Sequence, residues 1–236
     1  MKNPADTTIV ALFVRLPVPG RVKTRLAAAL GAEDACRLYR AMVTDILAAV
    51  RSSGLPLRLF HDGGESSVPP RAWVEAASAV VAQRGAGIGE RMMAAFEHCF
   101  AEGIGQVLLI GSDIPGLDCE LLNEAAKVLT THDAAIAPAL DGGYGLIALK
   151  RTTYRRRLFQ DIPWSTAQVL AATLAKFREC QLEVRLLPSL QDLDTLDDLQ
   201  TYWRAPSPHA RATNRLIAEL FQGERTLPAN IFDHAS

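Results

Sequence analysis

Short apolar runs of strand length alternate along this chain with longer stretches whose apolar residues recur every three or four positions. That rhythm restricts the fold to the α/β class. The strand-like runs are Ile9–Val14, Leu57–Phe60, Ala79–Ala82, Gln106–Ile110, Ala134–Ala137, Leu146–Leu149 and Glu183–Leu187. Between them, Ala35, Leu38, Met42, Ile46 and Ala49 share one face of a helix over residues 33–52, which Gly54 ends. Further helices are expected at Arg71–Ala77, at Gly89–Ala101, from the cap Asp118 to Leu129, from Ser165 to Cys180, and at Leu193–Trp203 with Thr195 as N-cap. The first strand is apolar on every residue, as in a sheet covered on both faces. The expectation is a three-layer, Rossmann-like α/β fold, its central sheet mostly parallel and its helices on both faces. Gly142-Gly143 marks a hairpin or bulge, so one antiparallel strand is expected there.

A chain of 236 residues suffices for one large α/β domain. Ala205-Pro206-Ser207-Pro208 reads as a linker, which divides the chain into a domain over 1–204 and a tail over 205–236. In that tail Leu216, Ile217, Leu220 and Phe221 fall on one helical face, for docking on the body or for a homodimer contact. Lys+Arg 25 against Asp+Glu 26 leaves no basic field for nucleic acid or an acidic membrane surface, so anion binding has to be local. No run approaches the about 18 apolar residues of a membrane span, and Ile9–Val14 is too short for a signal peptide. The cysteines Cys36, Cys99, Cys119 and Cys180 form no Cys-x-x-Cys pair. A zinc ribbon is therefore not expected, and a reducing, cytoplasmic location is.

The run Leu108-Leu109-Ile110-Gly111-Ser112-Asp113-Ile114-Pro115 carries the first chemical signal. A strand ends, and a carboxylate follows at the sheet edge where open α/β folds bind ligands. Mg²⁺ is commonly held by one or two carboxylates plus substrate phosphates, so Asp113 is a candidate metal ligand. The second signal is Pro17–Leu26, at the turn from the first strand to the first long helix. Arg21, Lys23 and Arg25 lie there within five residues, with Arg15 just upstream and Gly20 permitting a tight turn. Arginine grips phosphate bidentately and lysine acts as a point charge, so this loop is a candidate phosphate site. It is not a Walker A loop, because Gly-Lys-Ser/Thr is missing.

Three further stretches add to these. Gly85, Gly87 and Gly89 open a helix and allow close approach to a ligand, while Gln83 offers a paired donor and acceptor to a base edge. Asp141-Gly142-Gly143-Tyr144 sets two glycines beside a carboxylate; Asp141 is a candidate for orienting an acceptor or acting as base. In Gln191–Leu199, Asp192 and Asp194 share a direction if extended, which makes Asp194 a candidate second metal ligand. Asp197 and Asp198 suit the first turn of a helix instead. Trp164 is a candidate pocket wall. The five histidines form no spaced cluster, and no Gly-x-Ser-x-Gly elbow is present.

PVPGRVKTRLAAALG, QRGAGIGERM, LLIGSDIPGL, DGGYGLIAL and LQDLDTLDDL, taken in order, resemble the bacterial GT-A-type transferases associated with radical-SAM and selenium-domain proteins, also named arsenosugar-biosynthesis glycosyltransferases. That group is similar to the guanylyltransferases for 2-phospholactate and for the molybdenum cofactor. The resemblance spans residues 9 to 200 and implies a nucleotide-diphospho-sugar transferase fold of GT-A type. It implies Lys23 and Arg25 near the nucleotide phosphates, and Asp113 as the metal-binding acid. Asp194 matches the late Asp of the superfamily's Asp-Thr-Pro-Glu-Asp-Leu pattern, although Leu196 and Asp197 replace its Pro-Glu. Gly145 stands where the group often carries a bulky residue.

These readings converge on a nucleotide-dependent transferase. One form is a glycosyltransferase using a nucleotide-diphosphate sugar, with Mg²⁺ or Mn²⁺ at Asp113 neutralising the leaving group. The alternative is a nucleotidyltransferase, in which a phosphorylated small-molecule acceptor attacks an NTP and pyrophosphate leaves; three cations near Gly20 suit a triphosphate. A non-catalytic nucleotide sensor is a third form, disfavoured because binding alone needs no metal pair.

Overall fold

The computed structural model describes residues 7–221. In chain order its elements are β1 (Thr8–Val14), α1 (Thr24–Leu30), α2 (Ala32–Ser53), β2 (Leu57–His61), α3 (Arg71–Ala76), β3 (Ala79–Ala82), α4 (Ile88–Ala101), β4 (Gln106–Ile110), α5 (Cys119–Val128), β5 (Ala134–Pro138), β6 (Tyr144–Lys150), a 3₁₀ turn (Arg156–Phe159), α6 (Val169–Glu179), β7 (Val184–Leu186), α7 (Leu196–Arg204) and α8 (Arg211–Leu220).

The strands form one sheet in the order β3-β2-β1-β4-β6-β5-β7. Side chains alternate along each strand, so the apolar runs feed two cores. Val10, Leu12, Val14, Leu108 and Ile110 face a core that includes Tyr39, Val43, Trp73 and Leu122 from α2, α3 and α5. Ile9, Ala11, Phe13, Val107 and Leu109 face the other, with Met92, Phe96 and Phe177 from α4 and α6. Two buried faces are why β1 and β4 read as continuous apolar runs. This is the three-layer α/β architecture the sequence implies.

β1 pairs in parallel with both β2 and β4. The chain leaves β1 toward β2 on one side and returns to β4 on the other. A crevice opens at such a switch point, outside the carboxyl ends of the two strands. β6 runs antiparallel to both β4 and β5, with a register shift at Ala137/Pro138. It therefore begins at the edge where β4 ends, and the Asp141–Tyr144 connection arrives at the same crevice.

Several boundaries differ from the sequence reading. The helix expected from Ser165 starts only at Val169 and ends at Glu179. Ser165 has a φ of 64°, in the left-handed region, so no helix can begin on it. Thr166 closes the loop instead: its Oγ1 donates to Pro163 O and accepts from Gln168 N. α1 was not anticipated as a separate helix; Gly31, with φ 81°, breaks it from α2. Asp118 and Thr195 are the N-caps of α5 and α7, as expected, and Asp198 completes a capping box with Thr195.

Beyond Ala205–Pro208, α8 lies in a third apolar cluster, where Leu216 and Ile217 join Leu38 and Met42 of α2. Residues 222–236 lie outside the described residues. α8 has no side-chain cap of its own. Asp45 of α2, only 6% exposed, accepts at 2.8 Å from both Ala212 N and Thr213 N and satisfies two first-turn amides from outside the helix. Asp45→Ala leaves those buried amides without acceptors and should lower unfolding free energy by about 1–3 kcal/mol, read as a shifted urea midpoint with exchange protection lost first in α8.

Candidate active site

The crevice is a cleft of about 790 Å³. One wall comes from the loop after β1. Val22 and Leu26 are buried there and fix the loop from both sides of Lys23. Lys23 is the N-cap of α1 in a left-handed conformation (φ 49°, ψ 44°) and makes no side-chain cap bond. Its side chain turns inward, 3% exposed, and Nζ lies 2.5 Å from Asp113 Oδ1 and 2.5 Å from Asp194 Oδ1. A buried ammonium has to be paired, and here two acids share it.

Long-range backbone bonds bring those acids together. Leu190 N donates to Pro138 O, which carries the chain after β7 past the end of β5. Leu193, fully buried, donates its N–H to Asp113 O at 2.9 Å. Asp194 N then donates to Asp198 Oδ2, which also accepts from Thr195 N. The cap of α7 thus orients the acid just before it.

Tyr39, on α2, joins the loop after β1 to the loop after β4. Its hydroxyl accepts from Arg15 N at 2.8 Å and shares a hydrogen bond of 2.9 Å with Ser112 Oγ. Burial, reinforced by the charge of Asp113, pushes this phenol well above its ordinary range, so it stays protonated.

Of the residues singled out in the sequence, Arg15, Lys23, Arg25, Gln83, Asp113, Asp141, Gly143, Tyr144, Trp164 and Asp194 line this one cleft. Gly20, Arg21, Gly85, Gly87, Gly89 and Gly142 are not among its lining residues. Lys23 faces acids in this structure, where the sequence placed it on phosphates. Gln83 does not present a free amide: Nε2 donates to Phe60 O at 2.9 Å and to Val14 O at 3.4 Å. It ties the ends of β1 and β2 together and keeps its oxygen as an acceptor. The Tyr144 hydroxyl is buried beside Thr173, and that burial raises its pKa. Asp141 Oδ1 accepts from Gly143 N within its own turn, and the carboxylate is otherwise exposed.

Packing keeps Gly85 and Gly89 bare, whereas a Cβ at Gly87 would meet nothing within 4 Å. Glu90 folds back so that Oε2 accepts from Ala86 N, filling the glycine-rich turn from within. A Cβ on Gly89 would lie 2.4 Å from Trp164 Nε1, so this position has to be bare for the indole to lie against α4. Ile114 fills the space beside Gly145, where a Cβ would stand 2.0 Å from Ile114 Cδ1.

Asp192 was not assigned a role from the sequence. It lines the cleft, half-buried, and burial pushes its carboxyl up to about 6, helped by the charges of Asp141, Asp194 and Asp198. Tyr39 was also missed, because it lies along the apolar face of α2 and reads as core rather than as a hydrogen-bonding group.

The donor set fits a hard divalent cation. Two carboxylate oxygens already converge on one positive centre, and Mg²⁺ accepts one or two carboxylates with its remaining positions left to water and phosphate. Asp118, Glu120 and His209 form another cluster among the described residues, outside this cleft.

Fold and cleft place the chain among the nucleotide-diphospho-sugar-transferase-like α/β proteins. It belongs to a bacterial family described as "Uncharacterized protein conserved in bacteria (DUF2064)", whose model matches residues 46–166. It is similar to a candidate nucleotide-diphospho-sugar transferase from Desulfovibrio desulfuricans G20, at 34% identity over 92% of this chain and 97% of that one, with a TM-score of 0.82. At the level of fold alone it is similar to a cytidylyltransferase from Leptospira borgpetersenii serovar Hardjo-bovis (13% identity, 92% of this chain and 94% of that one, TM-score 0.53). It is likewise similar in fold to CMP:2-keto-3-deoxy-manno-octonic acid synthetase complexed with CTP (10% identity, 83% and 96%, TM-score 0.51). No curated protein matches the sequence.

Gly142 holds the wall opposite the basic loop. Its φ is +89°, its carbonyl accepts from Leu170 N, and a Cβ there would stand 2.3 Å from Ala167 O. Gly142→Ala should cost more than about 1 kcal/mol and displace the 163–168 loop; a lowered melting temperature together with altered Trp164 fluorescence checks it.

Proposed function

We propose that this chain is a nucleotide-dependent transferase that moves a glycosyl group from a nucleotide-diphosphate sugar to a hydroxyl of a small-molecule acceptor. The observation that carries this reading is the division of charge in the cleft around the Asp113–Lys23–Asp194 contact. Arg15, Lys23 and Arg25 come from the β1 side, where Asp62 also lines the cleft with its Oδ1 accepting from Leu16 N. Asp141, Asp192 and Asp194 come from the β5–β6 side and from the segment before α7. The basic side suits a diphosphate. The acidic side repels a phosphorylated acceptor and suits a polyhydroxyl one, which carboxylates bind by accepting hydrogen bonds. The similarity to the Desulfovibrio protein supports the same reading.

In this proposal Asp113 and Asp194 hold Mg²⁺ or Mn²⁺, which supplies charge neutralisation for the departing diphosphate. Arg25 and Arg15 bind phosphate oxygens, and Gln83 offers its oxygen to the base. The anomeric carbon–oxygen bond to the diphosphate breaks, and a bond from that carbon to the acceptor oxygen forms. The acceptor's proton passes to a carboxylate on the acidic side. Asp141 is one candidate; Asp192, held near 6, is poised for exchange around neutrality. Trp164 and Gly143 flank the acceptor.

The second reading is nucleotidyl transfer from an NTP with release of pyrophosphate. The three cations on the basic side favour it, since they match a triphosphate well. No helix among the described residues is long and apolar enough to cross a membrane. Free Cys36, Cys99, Cys119 and Cys180 suit the reducing cytoplasm in which we place the reaction.

A thermal-shift screen of nucleotide sugars and nucleoside triphosphates, with and without Mg²⁺ or Mn²⁺, tests the reading. A nucleotide sugar should raise the melting temperature most, by an amount that grows with ligand concentration. A triphosphate preference with pyrophosphate release would establish the second reading instead. Asp113→Asn should keep the fold and weaken metal-dependent binding by more than the roughly 10–100-fold that losing a residue behind a metal ligand costs; an unchanged metal titration would remove Asp113 from its assigned role.

A further inference from the structure

We infer that the Lys23 ammonium bars bare divalent cations from the seat between Asp113 and Asp194, so that the site takes a cation only together with a polyphosphate. This rests on the reading of the cleft as a nucleotide-diphosphate site and adds an order to its loading.

The geometry leaves little choice. Nζ is 2.5 Å from an oxygen of each acid, so it sits at the point on which both converge. A cation bound to the same two oxygens would stand almost on top of it. Their repulsion at that distance is large, and water screens it poorly because the lysine side chain is 3% exposed. The two acids are 46% and 41% exposed, so a cation can reach them from solvent, and the barrier is charge rather than access.

The backbone keeps the lysine in place. Lys23 occupies a left-handed conformation that a side-chain-bearing residue adopts at a cost, at the first turn of α1, between buried Val22 and Leu26. The stem can swing, but the residue cannot leave without unmaking the start of α1. An ammonium pushed off the acids then needs another anion, and the charged neighbours on its own loop are Arg21 and Arg25.

Charge counting at the seat gives the coupling. Asp62, Asp141 and Asp192 line the same cleft, but among the described residues only Asp113 and Asp194 pair with Lys23; one ammonium and these two carboxylates leave a single negative charge at the seat, too little to hold a dication and the ammonium together. A diphosphate supplies the missing anion: the ammonium moves onto phosphate, and the acids pass to the cation. Because such coupling is reciprocal, the cation strengthens polyphosphate binding by the same factor.

Titration of the full chain with Mn²⁺ alone, followed by the loss of the free-ion EPR signal, tests this without any nucleotide. Wild type should bind Mn²⁺ weakly. Lys23→Met keeps the apolar stem and removes the charge, and should bind Mn²⁺ at least tenfold tighter. Lys23→Arg, which restores a cation, should stay close to wild type. Circular dichroism establishes that each variant is folded. Equal affinity in wild type and Lys23→Met overturns the inference, as does a gain in Lys23→Arg as large as that in Lys23→Met. Should Lys23→Met not fold, the chain with Lys23 intact and His209→Ala, which disables the Asp118–Glu120–His209 cluster outside the cleft, decides the matter: one Mn²⁺ taken up at micromolar concentration in the absence of phosphate overturns it. The transferase reading fails by a different route, through the absence of nucleotide-dependent stabilisation, so the two failures are separable.

Discussion

The contact of one buried ammonium with two carboxylates organises this molecule. Lys23 comes from the turn after β1, Asp113 from the turn after β4, and Asp194 from the segment before α7. These segments are far apart in sequence and share no secondary-structure element. Desolvating Lys23 offsets much of the attraction to its two acids, so the net contribution to stability is small. What the contact fixes is position. It holds three loops to one point, and the bonds of Tyr39 to Arg15 and Ser112 and of Leu193 to Asp113 repeat the connection through groups that carry no net charge.

The reversal of β6 explains why a two-sided cleft forms at all. In the parallel half, β3-β2-β1-β4, every strand delivers its following loop to one edge of the sheet. Another parallel strand would bring another carboxyl end. An antiparallel β6 brings its beginning, and with it the turn that carries Asp141 and Gly143, bonded back through Gly111 N to Gly145 O. The parallel β5–β7 pair then directs the chain past Pro138 and into Leu193 and Asp194. The basic side therefore belongs to the first half of the chain and most of the acidic side to the second.

Much of the architecture was legible because local chemistry dictated it. Apolar runs without alternation required two buried faces, and Thr195 with Asp198 announced the start of α7. That Asp113 and Asp141 reach one edge followed from where each stood relative to a strand end, whereas Asp194 was placed by its match to the superfamily's late Asp. Pairwise geometry was not legible. Nothing near Lys23 in sequence says that its partners are Asp113 and Asp194 rather than a phosphate, because that depends on the left-handed backbone at residue 23 and on the Leu193 bond. The partners of Gln83 and of the glycines were not legible for a related reason. Nothing local says that Gln83 Nε2 meets the carbonyls of Val14 and Phe60, that Glu90 folds back onto Ala86, or that the Trp164 indole packs against Gly89. Ser165 looked like the start of a helix, but it takes a positive φ instead.

The same interaction bears on how such a cleft binds highly charged molecules without a large desolvation penalty. Two acids facing each other across empty space would repel, and each would have to shed water when a cation arrived. With Lys23 between them, the charge is already partly neutralised and the oxygens are already aimed at one centre. In the proposed transferase, ligand binding would then exchange one cation for another at the acids and one anion for another at the lysine. Such an exchange would preserve the number of close opposite-charge contacts and leave most of the binding energy of sugar and base to orient the reacting carbon. Preorganised charge is most effective where little has to move during reaction, and Lys23 carries its ammonium on a flexible stem from a backbone held between buried Val22 and Leu26.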